Sequence, residues 1–152
     1  MAILDTSVTG SLVIDRHDDI FIGLDLPLRK STGSQGYFES TRTSLKAVRN
    51  NVRSLLLTEK GERIFQPNLG LNLKKLVFQP LVPGLIESIK MEIADTFKIW
   101  MPFIKIEKLD IETYSNGDMG ELMGNTIKIN LEFSMRENPS MYDQVEVEIA
   151  GG

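Results

Sequence analysis

The chain has 152 residues, 41% of them hydrophobic and 25% charged, with a formal net charge of −4, which fits one globular domain with its own core. It has no cysteine and one histidine, His17, which excludes disulfide staples, thiolate metal sites and cysteine nucleophiles and leaves little for a serine-type triad. No apolar run reaches the ~18 residues of a membrane span, and the N-terminal MAILDTSVTG lacks the basic start of a secretory signal.

The first 39 residues read as an arm. Leu12, Val13 and Ile14 predict a short strand, and Phe21, Leu24 and Leu26 an apolar cluster closed by Pro27. Ser31 to Gly36 reads as a loop. His17 lies among Asp15, Arg16, Asp18 and Asp19 and is read as a solvated loop, because adjacent residues rarely converge on one ion.

A first helix is expected from about Thr41 to Leu57, with Leu45, Val48, Val52 and Leu55/Leu56 on one face. Ser40 or Thr41 is the expected N-cap, and Gly61 is expected at the left-handed stop after the helix. Arg42, Lys46, Arg49 and Arg53 form one basic stripe, either a solvated face or a dock for an acidic partner. Nucleic acid is not expected there, because no aromatic residues interleave with these charges.

The stretch Val52–Pro80 then concentrates constrained residues: Gly61-Glu62-Arg63, Pro67 and Gly70. Leu71, Leu73, Leu76, Val77 and Phe78 predict a short helical turn stopped by Pro80. A second long helix is expected from about Pro83 to Met101, with Leu85/Ile86, Ile89, Ile93, Phe97 and Trp100 along one face and Pro102 as its stop. Three strands follow. Ile104 and Ile106 alternate on one parity, Leu109 and Ile111 on the other, which predicts a bulge near Glu107-Lys108. Ile127, Ile129, Leu131 and Phe133 alternate with polar residues, as do Val145, Val147 and Ile149. The expected fold class is α+β: two main helices packed on a small antiparallel sheet of about three C-terminal strands, with residues 1–39 as an arm and 40–152 as the domain. The last strand is an expected sheet edge, where Val145, Glu146, Val147, Glu148 and Ile149 offer backbone groups to a chosen basic partner.

Charge is unevenly spread. Between Arg29 and Arg63 eight Lys/Arg face three Asp/Glu, whereas from Ile104 onward four face ten. That polarity suits a subunit with different partners at its two ends, or is ordinary surface variation. Catalytic chemistry is weakly represented. Glu59 and Glu62 could be a glycosidase pair, but Lys60 and Arg63 beside them act against the raised pKa a general acid needs. Glu62 and Arg63 are read as turn-stabilising or partner-bridging groups. Asp110, Glu112 and Asp118 lack calcium-loop spacing, so no cofactor or metal is expected.

Leu56-Leu57-Thr58, Gly61-Glu62-Arg63, Phe65, Pro67, Gly70, Leu71, Leu76 and Phe78 together resemble the signature of the baseplate wedge and sheath-initiator family of contractile phage tails. That domain, sometimes called lysozyme-like, is shared with type VI secretion baseplates and other contractile injection systems. The resemblance covers roughly residues 40–149. It implies a non-enzymatic virion protein of the tail baseplate, assembled in the host cytoplasm in several copies. It also implies that the protein anchors to the core bundle of other wedge proteins and templates the tail sheath by strand addition. Neither a membrane nor nucleic acid is an implied partner. The implied wedge contacts are Gly61, Glu62, Arg63, Pro67, Gly70 and Pro102. The family usually carries Glu-Pro-Arg after its second long helix, where this chain has Met101-Pro102-Phe103, so a contact made elsewhere by charge could here be made by burial. A peptidoglycan-degrading enzyme and a generic assembly adaptor are the alternative readings.

Overall fold

In the computed structural model, which describes residues 22–32, 36–78, 83–115 and 125–150, the clearest alternation in the sequence becomes the middle of a sheet. This strand, Asn125–Met135, lies between Ile104–Ser115 and Tyr142–Ala150 in an antiparallel three-stranded sheet. In chain order the elements are β1 (Gly23–Leu24), β2 (Ser40–Thr41), α1 (Ser44–Leu57), α2 (Leu73–Val77), α3 (Pro83–Trp100), β3 (Ile104–Ser115), β4 (Asn125–Met135) and β5 (Tyr142–Ala150).

Register puts the alternating apolar residues on one face. Leu109 sits opposite Leu131 and Ile111 opposite Ile129, while Ile129 faces Val147 and Leu131 faces Val145. Ile127, Ile129, Leu131 and Phe133 are fully buried, and each such side chain contributes about 1.5–3 kcal/mol through the water it sheds. The expected bulge is present. The register shifts between Ile106 and Lys108, so Ile106 stands opposite Phe133 and Leu109 opposite Leu131. One extra residue thus brings both parities onto the core face; a regular strand would have turned Leu109 to solvent. The carboxylate of Glu107 then receives the Ser134 hydroxyl at 2.7 Å and the Lys105 ammonium at 2.9 Å. The Ser134 bond, aided by Lys105, holds the Glu107 carboxyl below its ordinary range.

The helices cover the apolar face, α1 and α2 over β5 and α3 over β3. In α3 the residues Leu85, Ile89, Ile93 and Phe97 recur every fourth position and are all buried. In α2, Leu73 and Val77 do the same over a single turn.

Three local expectations are corrected. First, α1 starts at Ser44, with Thr43 as an N-cap that makes no side-chain cap bond; Ser40 and Thr41 instead form β2, paired with Leu24 and Gly23. Strand pairing with a distant segment outweighs the local capping preference. Second, the helix ends at Thr58, which is extended (φ −82°, ψ 128°). The Thr58 hydroxyl donates to the Ser54 carbonyl at 2.7 Å, and its N–H donates to the same oxygen. A β-branched residue whose side chain supplies the closing bond needs no left-handed glycine. Gly61 does have positive φ, +90°, but in the following turn. Third, the basic stripe finds acidic partners inside the chain: Lys46 pairs with Asp25 at 2.7 Å and Arg49 with Asp143 at 3.7 Å.

Asp25 is the latch between arm and helix. Besides Lys46, it accepts the Leu26 N–H at 3.0 Å and the Asn50 amide at 3.3 Å, and Asn50 also donates to the Leu24 carbonyl. The bond from the Lys46 ammonium keeps this nearly buried carboxyl below its ordinary range. The Lys30–Phe38 bridge extends the β1–β2 pairing toward the hairpin tip. Of the predicted features, the strand at Leu12–Ile14, the His17 cluster, Phe21 of the apolar cluster, residues 33–35 of the loop, the Pro80 stop and Asp118 lie outside the described residues.

Candidate functional site

The constrained stretch after α1 folds into one closed turn. The Leu71 N–H donates to the Thr58 carbonyl at 2.9 Å, so the chain returns to where it left the helix. Gly70 makes that return possible. Its φ is +107°, and a Cβ there would stand 2.3 Å from the Thr58 carbonyl oxygen. Within the turn, the Gly61 N–H reaches the Pro67 carbonyl at 2.8 Å. The Glu62 carboxylate accepts the Glu59 N–H at 3.0 Å, the turn-stabilising bond expected from the sequence. Lys60 ties the turn to α3 through Glu92 at 2.7 Å. Gly61, Glu62, Arg63, Pro67 and Gly70 are therefore brought together, with Gly70 buried and Arg63 exposed.

The closure has a consequence that periodicity could not reveal. The apex residues Ile64 and Phe65 are 89% and 93% exposed. They stand at one wall of a groove of about 580 Å³ whose other wall is Trp100, Met101 and Phe103, at the corner between α3 and β3. That corner is built by the Met101 N–H bonding back to Phe97 and the Ile104 N–H to Met101, with exposed Pro102 between. Met101 turns into the core, and Phe103 remains 41% exposed toward the groove. The Met101-Pro102-Phe103 segment and the glycine turn, 40 residues apart in sequence, thus share one apolar surface with Arg63 as the cation in its lining. Large exposed apolar pairs on a structured turn mark contact surfaces. The signal available beforehand was Ile64-Phe65 inside a Gly/Pro-rich turn, where no helix or strand period exists to bury them.

The other side of the turn meets the sheet edge. Glu59, Leu57 and Leu73 border a smaller depression of about 210 Å³ with Glu148, Ile149 and Ala150 of β5. Among the described residues β5 pairs with β4 alone, so that β5 and β3 are the two edges of the sheet. Val145, Val147 and Ile149 point into the core, so they present backbone to a neighbour, whereas Glu146 and Glu148 project from the opposite face. Glu146 is bonded to Lys128 at 3.0 Å, which raises the Lys128 ammonium above its ordinary pKa.

The two carboxylates of the Glu59/Glu62 pair have separate surroundings, Glu62 in the turn and Glu59 at the border of the smaller depression. Glu62 is occupied by its own backbone turn, and Glu59 stands 3.9 Å from Lys74. Among the described residues no group of three or more His, Cys, Asp or Glu is placed to hold a metal.

The scaffold is thus a small α+β domain with a largely apolar groove on one side of a closed turn and, among the described residues, an unpaired strand edge on the other. The chain belongs to the baseplate wedge protein gp25 family, whose profile matches residues 42–140. Baseplate wedge protein gp25 of Enterobacteria phage T4 is 23% identical over 111 residues, covering 73% of this chain and 79% of that protein. Two solved structures have the same fold at a TM-score of 0.51. One is from the baseplate of the anti-feeding prophage, 21% identical, covering 70% of this chain and 81% of that one. The other, from Geobacter sulfurreducens, carries the name of a tail lysozyme and is 17% identical, covering 73% of this chain and 92% of that one.

Proposed function

We propose that this protein is a structural subunit of a contractile-tail baseplate, in the virion, with two separate tasks. The turn–corner groove anchors it to apolar side chains of neighbouring wedge subunits, in the position of their core bundle. The β5 edge accepts a strand of the sheath protein and so templates the first sheath ring. In this reading Gly61, Glu62, Pro67 and Gly70 shape the anchor, Arg63 and Pro102 border its contact, and Val145–Ile149 form the acceptor edge. Residues 1–39 serve as an arm toward a further neighbour, and 40–152 as the assembly domain. Family membership supports the baseplate role. The observation that carries the anchoring task is the near-complete exposure of Ile64 and Phe65 on a turn closed by the Leu71–Thr58, Gly61–Pro67 and Glu59–Glu62 hydrogen bonds. A hydrolytic role draws no support from the geometry of Glu62, whose carboxylate is engaged in the turn.

Imaging of assembled particles separates the two tasks. Ile64→Asp with Phe65→Asp is expected to give baseplates lacking this subunit. Glu146→Lys with Glu148→Lys, on the exposed face of β5 and outside the core, is expected to hinder sheath polymerisation while the subunit stays in the baseplate. Normal-length sheath on such particles contradicts templating by β5. A turbidity assay on permeabilised cells tests the enzymatic alternative: lysis by the wild type that Glu62→Gln abolishes would overturn the structural reading.

A further inference from the structure

The β5 edge carries chemical detail that narrows what it can accept. A strand added there has side chains alternating between the two faces of the sheet. Those opposite Glu146 and Glu148 project on the outer face. Those opposite Ile149 project on the helix-covered face, into the 210 Å³ depression beside Leu57 and Leu73. That volume suits one aliphatic or aromatic side chain, since a cavity of about 150 Å³ holds benzene. Leu57 is 42% exposed there and would be covered. On the outer face Glu148 forms no ion pair among the described residues, while Glu146 already holds Lys128. At the depression's border, Glu59 Oε1 is shielded from solvent and accepts no hydrogen bond among the described residues, with Lys74 no nearer than 3.9 Å. The unsatisfied acceptor capacity at this edge is therefore carboxylate, and the open space is walled by Leu57, Leu71, Leu73 and Ile149 with Glu59, Lys74 and Glu148 at its border.

We propose that the β5 edge selects an extended segment in which basic residues alternate with apolar ones, the basic row facing Glu146 and Glu148 and one side chain of the apolar row entering the depression beside Leu57. This rests on the strand-addition reading above and adds the partner's chemistry to it. Like charges directly opposite one another in a sheet repel, and opposite ones attract by a comparable amount. The carboxylates thus reject acidic strands as well as favouring basic ones.

Three blocked eight-residue peptides test this, titrated into the full chain and followed by backbone amide shifts. One alternates Lys and Val, one alternates Glu and Val, and the third is the Lys–Val peptide with alternate backbone nitrogens methylated. The expected result is saturable binding of the Lys–Val peptide, with shifts concentrated on 145–150 and Leu57. The Glu–Val peptide and the methylated peptide should bind at least tenfold more weakly. Glu148→Lys should weaken Lys–Val binding by about fivefold, one lost cross-strand pair plus one repulsion. Equal binding of the Lys and Glu peptides at β5 overturns the charge selection while leaving strand addition intact. Undiminished binding of the methylated peptide, or no shifts along β5 with any peptide, overturns strand addition itself.

Discussion

Replacing Gly70 by alanine tests the closure on which both surfaces depend. Two terms add. The backbone at φ +107° lies where an L-residue is strained, at about 1–3 kcal/mol. The new Cβ would sit 2.3 Å from the Thr58 carbonyl oxygen, and that neighbour is backbone, so the turn must open. Opening removes the Leu71 N–H bond to Thr58, worth about 1 kcal/mol, and loosens Leu71, which is only 1% exposed. These two costs sum to about 2–4 kcal/mol before any loss at Leu71, a large share of the ~5–15 kcal/mol that holds a typical domain together. For a chain of this size that sum corresponds to a fall in Tm of roughly 10 °C. Gly61→Ala is the internal control. Its φ is +90°, but nothing lies within 4 Å of the new Cβ, so only backbone strain of about 1–2 kcal/mol remains. Urea unfolding followed by circular dichroism measures both. Equal losses in the two variants would refute the claim that close backbone approach, rather than φ alone, demands glycine at position 70.

Ile64→Asp with Phe65→Asp should change stability by no more than about 0.5 kcal/mol in urea titration, because neither side chain is buried in the subunit; a large loss would mean that the apex packs inward. Asp25→Asn should loosen the arm by about 1–2 kcal/mol, read as faster amide exchange at residues 22–31 with little change in β4. The pH dependence has a definite sign. Because the folded carboxyl of Asp25 is held below its ordinary 3.8, its contribution is full above that value and is lost as pH falls through the lower folded one. Arm exchange in the wild type should therefore accelerate at and below about pH 3.8, and Asp25→Asn should remove that step. Phe133→Ala, at the centre of the core, should cost about 3–5 kcal/mol in a single cooperative transition.

What the sequence disclosed depended on how local the cause was. The alternation of β4, the four-residue spacing in α3 and the parity slip at Glu107 are each written within a dozen residues, and each was legible. The start of α1 was not, because Ser40 and Thr41 are drawn into β2 by Leu24 and Gly23, distant in sequence. The basic stripe of α1 was open to reading as a solvated face or as a dock for an acidic partner, because Asp25 and Asp143, which pair with Lys46 and Arg49, are distant in sequence. Gly61 and Gly70 were both visible as turn glycines. Only the fold separates them: one needs its φ, the other also needs the missing Cβ. The groove was least legible of all. Its walls, Ile64-Phe65 and Trp100–Phe103, come from different elements, and an apolar residue left in water has the same letter as one in the core.

The central claim is that this turn-braced scaffold is held by its groove and offers β5 to another chain. A cryo-EM map of the intact assembly tests it most directly. The expected map shows a strand from a neighbouring subunit hydrogen-bonded along Val145–Ile149, and apolar side chains of a second neighbour over Phe65 and Phe103. A map in which β5 remains an open edge and Phe65 faces solvent would contradict it.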